Sequence, residues 1–310
     1  MVNRLKIEGL QAELAAVESL LRQAAEFSDA ISEFQLSKRK EIIESEILKL
    51  IAESSPTANV VLFFGGKPVF GSRGISADFA GDAIKQFQEL VSKTFAINEL
   101  GQIGERGPVP LKQSTNLMVT EIAKGSFGFV LEELQDQLAM FDTGLKAITE
   151  EVAILIERTA SPNELEFEEA IQKLDARSLI ALKDFYVILD KNSATIRIVE
   201  EKFDFMLDES AVRRGRERTE ATSIDEEDEF FSGTLMGFLP EHRKFEAKLD
   251  DGSSIYGSVS KEAAEQYALF VTSDKTAIGE KWTFKIKRRT VHQLNRPPRE
   301  VYRLLEFVEA

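Results

Sequence analysis

The placement of glycine constrains the fold of this chain more than any other feature of its sequence. Ten of its 18 glycines lie between Gly65 and Gly128, most of them in three short stretches: FFGGKPVFGSRG (63–74), GQIGERG (101–107) and KGSFGF (124–129). Glycine tolerates positive φ and lets another backbone or a ligand approach closely. Because these stretches separate apolar segments, we expect tight turns between strands there, and these turns are the first candidates for a ligand site.

The first 55 residues are predicted to be helical. Six apolar residues follow the 3–4–3–4 spacing of one helical seam: Ile7, Leu10, Leu14, Val17, Leu21 and Ala24. A second helical pattern covers about 36–53, and the segment between them loses the period and holds the possible cap residues Ser28 and Ser32. We interpret the region as an antiparallel hairpin packed within the chain. One long helix and an intermolecular coiled coil are the alternatives.

Residues 56–207 mix strand and helix patterns. Apolar runs at 60–64 and 117–134 predict strands, the latter a hairpin, and 194–207 predicts another hairpin. Helical patterns cover 77–95, about 135–158 and 164–190. Because helices intersperse with hairpins, the pattern favours an α+β domain with an antiparallel sheet over a doubly wound parallel sheet.

The C-terminal third has a different composition. Residues 208–229 contain an arginine cluster and then an acidic run, with almost no apolar content, which predicts an exposed charged helix leading into a linker. Residues 230–310 show about five short strands and one helix, which predicts a small β-barrel of the OB or SH3-like kind. The predicted α+β organisation is a helical hairpin (1–55), an α+β core domain (56–207), a charged helix or linker (208–229) and the small barrel (230–310).

Charge and cysteine content exclude several functional classes. The chain has no cysteine, which excludes disulfides, thiolate nucleophiles and Cys-ligated metal sites. No apolar run approaches the roughly 18 residues of a membrane span, and the first residues lack the apolar block of a secretory signal, so we expect a cytoplasmic protein with no membrane partner. The net charge of −14 argues against a protein that simply coats nucleic acid.

The segment GGKPVFGSRG has the position of a phosphate loop, after a strand and before a helix. Its spacing matches neither of the common glycine-rich phosphate motifs, and Pro68 removes a backbone donor. If an anion or nucleotide binds to the glycine-rich loops, the candidate ligand residues are Lys67, Arg73, Lys124 and Ser126. The alternative is that these loops are ordinary tight turns.

A catalytic serine or a metal site has little support in the sequence. Ser126 lies in a predicted hairpin and not at the strand-to-helix turn of a nucleophile elbow. The histidines, His242 and His292, both fall in the C-terminal module, so no histidine base lies in the domain of Ser126. We expect no metal and no cofactor, and we assign no catalytic residue.

A basic strip between Lys281 and Arg303 is the candidate nucleic-acid site. It has eight basic residues and one acidic residue, with Trp282, Phe284 and Tyr302 among them. Barrels of the OB kind bind single strands with a positive groove and exposed aromatic residues. The candidate contacts are Lys285, Lys287, Arg288 and Arg289. The alternative is that Phe284 and Ile286 form the barrel core and that the lysines are merely solvated.

The sequence as a whole favours a non-enzymatic binding or assembly component. It would contact a protein partner, or another copy of itself, through the helical hairpin and the barrel. A nucleotide- or anion-binding sensor or enzyme that uses the glycine-rich loops is the first alternative. Nucleic-acid binding through residues 281–303 is the second.

Overall fold

The computed structural model describes residues 3–52, 55–100, 107–123, 127–134, 141–272, 277–294 and 296–308. Within those ranges the α-helices are α1 (Asn3–Glu26), α2 (Ala30–Ala52), α3 (Ala77–Leu100), α4 (Gly144–Ala160), α5 (Glu164–Ile171), α6 (Ala176–Lys191), α7 (Glu209–Glu220) and α8 (Lys261–Thr272). The strands are β1 (Asn59–Gly66), β2 (Val69–Phe70), β3 (Gly74–Ile75), β4 (Leu117–Ala123), β5 (Phe127–Glu133), β6 (Ala194–Val199), β7 (Asp204–Leu207), β8 (Thr222–Leu239), β9 (Lys244–Leu249), β10 (Ser254–Val259), β11 (Lys281–Gln293) and β12 (Arg299–Val308). The predicted mixture of helices with antiparallel sheet is confirmed.

The chain divides into two compact units, each built from separate stretches of sequence. The first unit comprises Met1–Ser76, Leu117–Ile154 and Ser193–Asp208. The second comprises Ala77–Asn116, Leu155–Asn192 and Glu209–Ala310. Each unit therefore depends on contacts between residues that are far apart along the chain.

Helices α1 and α2 of the first unit run antiparallel. Arg39 pairs with Glu13 at 2.5 Å, and Lys40 pairs with Glu18 at 2.7 Å. At the turn Ser28 has a left-handed φ of 55°, and the Asp29 carboxylate accepts hydrogen bonds from the backbone N–H and hydroxyl of Ser32. This cap begins a new helix, so the region is a hairpin and not one long helix.

The sheet of the first unit has the strand order β4-β5-β1-β6-β7, and every neighbouring pair is antiparallel. Strand β1 is central, and its apolar run Val60–Leu62 is fully buried, as a strand covered on both faces requires. Leu5 of α1 packs on a small core formed by Val61, Ala123, Val130 and Val199. Arg197 of β6 pairs with Glu8 of α1 and Asp204 of β7, which ties the helix to the sheet.

The second unit contains the C-terminal sheet. Strand β11 pairs with β8 and β12, β9 pairs with β8 and β10, and β10 pairs in parallel with β12. A core that includes Phe245, Phe284, Ile286, Leu304 and Phe307 lies on one side of these strands. The OB or SH3-like type of the predicted barrel stays an interpretation of this sheet.

The predicted helix of the charged segment 208–229 forms as α7, but it is only partly exposed, and the predicted linker belongs to strand β8. Helix α7 buries Val212 and Gly215, and the acidic run lies within β8. The arginines of α7 bond to the end of α4: Arg214 donates to the carbonyl of Ala160 and Arg218 to that of Ser161, both at 2.7 Å. The composition of this segment predicted that it is solvated. Composition does not show which distant groups pair with its charges.

Candidate functional site

The glycine-rich segment after β1 is a closely packed turn. Gly66 has a φ of 82°, and a Cβ there would overlap the backbone carbonyl of Ser193. A Cβ on Gly65 would lie 2.6 Å from the hydroxyl oxygen of Thr195. The backbone N–H of Lys67 donates to the Ser193 carbonyl at 3.2 Å. These two glycines therefore let β1 approach β6, which is a structural reason for their presence.

Other donors of this turn are also used within it. The N–H of Arg73 donates to the carbonyl of Phe70 at 3.0 Å, and that of Ser76 donates to the carbonyl of Pro68 at 2.9 Å. The Arg73 guanidinium lies over the ring of Phe70, 5.8 Å from its centre. These N–H groups do not converge on an anion. Lys124 and Ser126 lie outside the described residues, so the ligand role of the four candidates stays a prediction.

The basic strip on β11 lies in register with the acidic run on β8. Lys287 faces Asp228, Arg288 faces Glu227 and Arg289 faces Glu226. We call residues 225–229 together with residues 285–292 the charge ladder. Its ion pairs are Lys285–Asp228 (3.7 Å), Lys287–Asp228 (3.5 Å), Lys287–Glu226 (3.6 Å), Arg288–Glu227 (2.8 Å), Arg288–Glu229 (2.6 Å), Arg289–Glu226 (3.2 Å) and His292–Asp225 (3.1 Å). All four candidate nucleic-acid contacts thus form ion pairs with carboxylates of their own chain.

The four cations also differ in how much of each is exposed to solvent. Lys287 is 9% exposed and Arg289 is 5% exposed, and Arg289 donates to the carbonyl of Leu174 at 3.1 Å. Lys285 and Arg288 are only partly buried. Phe284 and Ile286 lie in the sheet core, as the alternative interpretation of the strip predicted. The nucleic-acid role stays a prediction, with fewer accessible cations than the sequence indicated.

The aromatic residues of the strip are engaged inside the second unit. Trp282 stacks on Phe270 with ring centres 4.8 Å apart, and its Nε1–H donates to the carbonyl of Ala277 at 3.0 Å. The hydroxyl of Tyr302 donates to the carboxylate of Glu300. Burial, with this carboxylate, raises the pKa of Tyr302 to about 12. A base-stacking role for Trp282 would need it to leave Phe270.

A buried group of charges at the β6–β7 turn had no signal in the sequence. The Nζ of Lys146 donates to the Ser55 carbonyl at 2.6 Å and pairs with Glu201 at 3.0 Å and with Asp142 at 3.3 Å. Although burial acts to lower the pKa of Lys146, these carboxylates raise it overall. The lysine is therefore held as a charged structural group and is a poor nucleophile. Ser55 and Glu201 come from distant parts of the chain, whereas Asp142 is four residues away.

Glu200 is the buried carboxyl of the same turn. It is 2% exposed, and it accepts a hydrogen bond from the backbone N–H of Lys202 at 2.9 Å. Burial raises its pKa, and the neighbouring carboxylates Glu150 and Glu201 add to this effect. Such a group can hold a proton at a higher pH than a solvated glutamate does.

A cavity of about 330 Å³ lies between α5 and the connection from β11 to β12. Ile171, Val291, Pro297 and Pro298 supply its apolar lining. Arg296 on its rim pairs with Glu164 at 3.0 Å and also with Glu168. That cation is therefore engaged, and no nucleophile–base pair is present among the lining residues.

The described residues hold no group of three or more His, Cys, Asp or Glu side chains arranged for a metal ion. None of the helices formed by the described residues is long and apolar enough to cross a membrane. These two findings concern only the described ranges.

The turn of the helical hairpin carries three exposed apolar side chains. Phe27 is 82% exposed, Ile31 is 73% exposed and Phe34 is 63% exposed. We call these three residues the tip cluster. Ile31 and Phe34 are three residues apart on α2 and therefore share a face, whereas Ile43 is buried on the other side of that helix.

The chain matches no protein-family model, no curated protein and no solved structure.

The tip cluster is a feature that the sequence did not single out as a site. Its residues lie in the segment AEFSDAISEF, where the helical seam loses its period. The signal that the sequence offered for the tip cluster was that these apolar residues fall outside the periodic helical seam.

Proposed function

We propose that the protein is a non-enzymatic binding or assembly component whose helical hairpin docks onto a partner protein through the tip cluster. The observation that carries the proposal is the exposure of two phenylalanines and an isoleucine within eight residues of one turn. Single exposed apolar residues are common on protein surfaces, whereas neighbouring large ones mark interaction sites. Burying one such side chain contributes about 1.5–3 kcal/mol, so the three together support a specific contact.

The C-terminal sheet is the second surface of the proposal. We interpret it as a small barrel of the OB or SH3-like kind, because each of its five strands pairs with two others. Met236, Leu239 and Tyr256 are exposed on β8 and β10. Aromatic and methionine side chains are enriched in protein interfaces, which supports contact with a protein there.

Replacing the tip cluster by serine tests the proposal. The variant Phe27→Ser/Ile31→Ser/Phe34→Ser is compared with the matched variant Phe70→Ser/Leu165→Ser/Met206→Ser, which changes three similarly exposed apolar residues elsewhere. Sedimentation of the purified proteins over a range of concentrations measures self-association. Affinity capture from cells that make the protein measures association with other proteins.

We expect the tip variant to lose association at least tenfold while the control variant behaves as wild type, because only the tip variant removes the docking surface. Circular dichroism melting shows whether both variants are folded. Wild-type protein that stays monomeric, together with identical captured proteins for both variants, would contradict the proposal.

A further inference from the structure

Strands β8, β11 and β12 place charged residues side by side on one face of the C-terminal sheet. Lys287 lies directly opposite Asp228 on one side and Arg303 on the other. Directly opposite residues of antiparallel strands point to the same face. Two neighbouring rows of that face are Asp228–Lys287–Arg303 and Glu226–Arg289–Val301. Three cations therefore share a face with two carboxylates.

Both carboxylates are already occupied by other cations. Glu226 pairs with Arg289 at 3.2 Å and with Lys287 at 3.6 Å. Asp228 pairs with Lys287 at 3.5 Å and with Lys285 at 3.7 Å. Arg303 is one strand further away and forms no ion pair within the described part of the chain.

Arg303 is poorly satisfied by the protein. Its Nη2–H donates to the carbonyl of Ile97 at 3.4 Å, which is a long hydrogen bond. Its Nε is buried and has no hydrogen-bond partner among the described residues. Burial, followed by the repulsion of Arg289, lowers the pKa of Arg303 to about 10, although the carboxylates of Glu262 and Asp175 act to raise it. A largely buried charge with few hydrogen-bond partners is costly, and most buried polar groups in proteins do have partners.

We propose that Arg303 binds a phosphate group, either free phosphate or the phosphate of a small molecule. The planar guanidinium presents parallel N–H donors that match two phosphate oxygens. Lys287 lies directly across from Arg303, and its charge is shared with Glu226 and Asp228. Ser258 of β10 lies beside Arg303 in the parallel register. Arg303 keeps part of its surface exposed to solvent, although its Nε is buried.

This proposal is independent of the helical hairpin. It also differs from an anion site in the glycine-rich turn, because it uses other residues and belongs to the second unit. A ligand that binds only the native state raises the melting temperature with a saturable dependence on ligand concentration.

The test measures thermal unfolding of the full chain in inorganic phosphate, pyrophosphate or adenosine monophosphate against sodium chloride of equal ionic strength. We expect the melting temperature to rise by about 5 °C when the phosphate compound is 100-fold above its Kd. A rise with inorganic phosphate assigns the free ion. A rise with only the larger compounds assigns the phosphate of a small molecule.

Three variants make the test specific. Arg303→Met should abolish the response while unfolding at the same or a higher temperature without phosphate, because it removes an unpaired charge. Arg303→Lys keeps a charge but loses the guanidinium, and we expect its phosphate affinity to fall at least tenfold. Arg299→Met removes an exposed cation of the same strand and should respond as wild type.

Isothermal titration calorimetry should show one phosphate for each chain in the wild type and none in Arg303→Met. The proposal is overturned if no phosphate compound shifts the wild-type melting temperature. It is also overturned if Arg303→Met responds as wild type does, which indicates a general salt effect. Loss of the response in Lys67→Met/Arg73→Met, with Arg303→Met unaffected, would place the anion in the glycine-rich turn and overturn it as well.

Discussion

Gly215 shows how one residue position is determined by its contacts. A Cβ on this residue of α7 would lie 2.5 Å from the Cζ atom of Tyr186. Tyr186 cannot move aside easily, because it is fully buried and its hydroxyl donates to the carbonyl of Ile156 at 2.5 Å. Gly81 of α3 is the opposite case, since a Cβ there would meet no atom within 4 Å.

The two glycines should therefore respond to alanine in opposite directions. Gly215→Ala should lower the free energy of unfolding by about 1–3 kcal/mol, because it overpacks a rigid aromatic contact. Gly81→Ala should raise it by about 0.5–1 kcal/mol, because alanine restricts the unfolded chain and favours the helix. Urea denaturation of both variants measures the difference. The same sign for both would contradict this account.

Glu200 should make stability depend on pH. A solvated glutamate titrates near 4.5, and burial raises the pKa of Glu200 in the folded protein. Between these two values the folded state binds more protons than the unfolded state, so this group makes stability fall as pH rises through that window. Glu200→Gln keeps an oxygen that can accept the hydrogen bond of Lys202 but cannot ionise.

We expect Glu200→Gln and wild type to have similar free energies of unfolding at pH 4, where the carboxyl is protonated in both states. At pH 7 the variant should be the more stable protein, because the wild type then holds a buried carboxylate. Urea denaturation at the two pH values measures both differences. The stability difference between the variant and wild type is compared at the two pH values. If the variant loses stability relative to wild type between pH 4 and pH 7, Glu200 is stabilised as a carboxylate.

At the scale of elements, the charge ladder explains how β8 can contain an acidic run. Cross-strand opposite charges stabilise a sheet, and each carboxylate of residues 225–229 faces or neighbours a cation of β11. The inner pairs matter most, because Arg289 and Glu226 are largely buried whereas the carboxylate of Asp225 is 73% exposed. Breaking a buried pair leaves an uncompensated charge, and breaking an exposed pair does not.

Two carboxylate-to-amide changes on the same strand test this distinction. Glu226→Gln should cost about 3 kcal/mol of unfolding free energy, because it leaves Arg289 and Lys287 without their shared carboxylate. Asp225→Asn should cost less than about 0.5 kcal/mol, because its partner His292 is exposed to solvent. Chemical denaturation of the two variants checks the ranking. Equal effects would show that burial does not set the strength of these pairs.

At the scale of the whole molecule, the second unit is assembled from three separate stretches of sequence. Its C-terminal stretch depends on carbonyls from the middle stretch: Arg289 bonds to Leu174, and Arg214 bonds to Ala160. A net hydrogen bond to a charged donor contributes about 1.5–3 kcal/mol. The C-terminal sheet is therefore stabilised by residues that lie far from it in sequence.

A fragment of residues 209–310 should be less stable than the same residues in the full chain, because it lacks the carbonyl partners of Arg289 and Arg214. Hydrogen exchange of the β11 amides measures this directly, and we expect at least a 100-fold loss of protection in the fragment. The full chain in the same buffer is the control. Equal protection would support a self-contained C-terminal domain that begins near residue 209.

Features with a local cause could be predicted from the sequence. The seam Ile7–Ala24 lies in the helix that its spacing predicts, whereas the cap of α2 is Asp29 and not the predicted Ser28 or Ser32. The apolar run at 60–64 forms the central strand β1. Helical periodicity and buried strands arise from neighbouring residues, so local patterns report them.

Only the tertiary structure decided which distant groups meet. The acidic run at 225–229 and the cations at 285–289 are about 60 residues apart, and each alone has the composition of a solvated surface. Gly66 lies against Ser193, and Arg303 lies across from Lys287. Composition along the chain determined which segments form helices and which form strands. Strand register determined which charges are paired, because it places residues side by side that no local pattern connects.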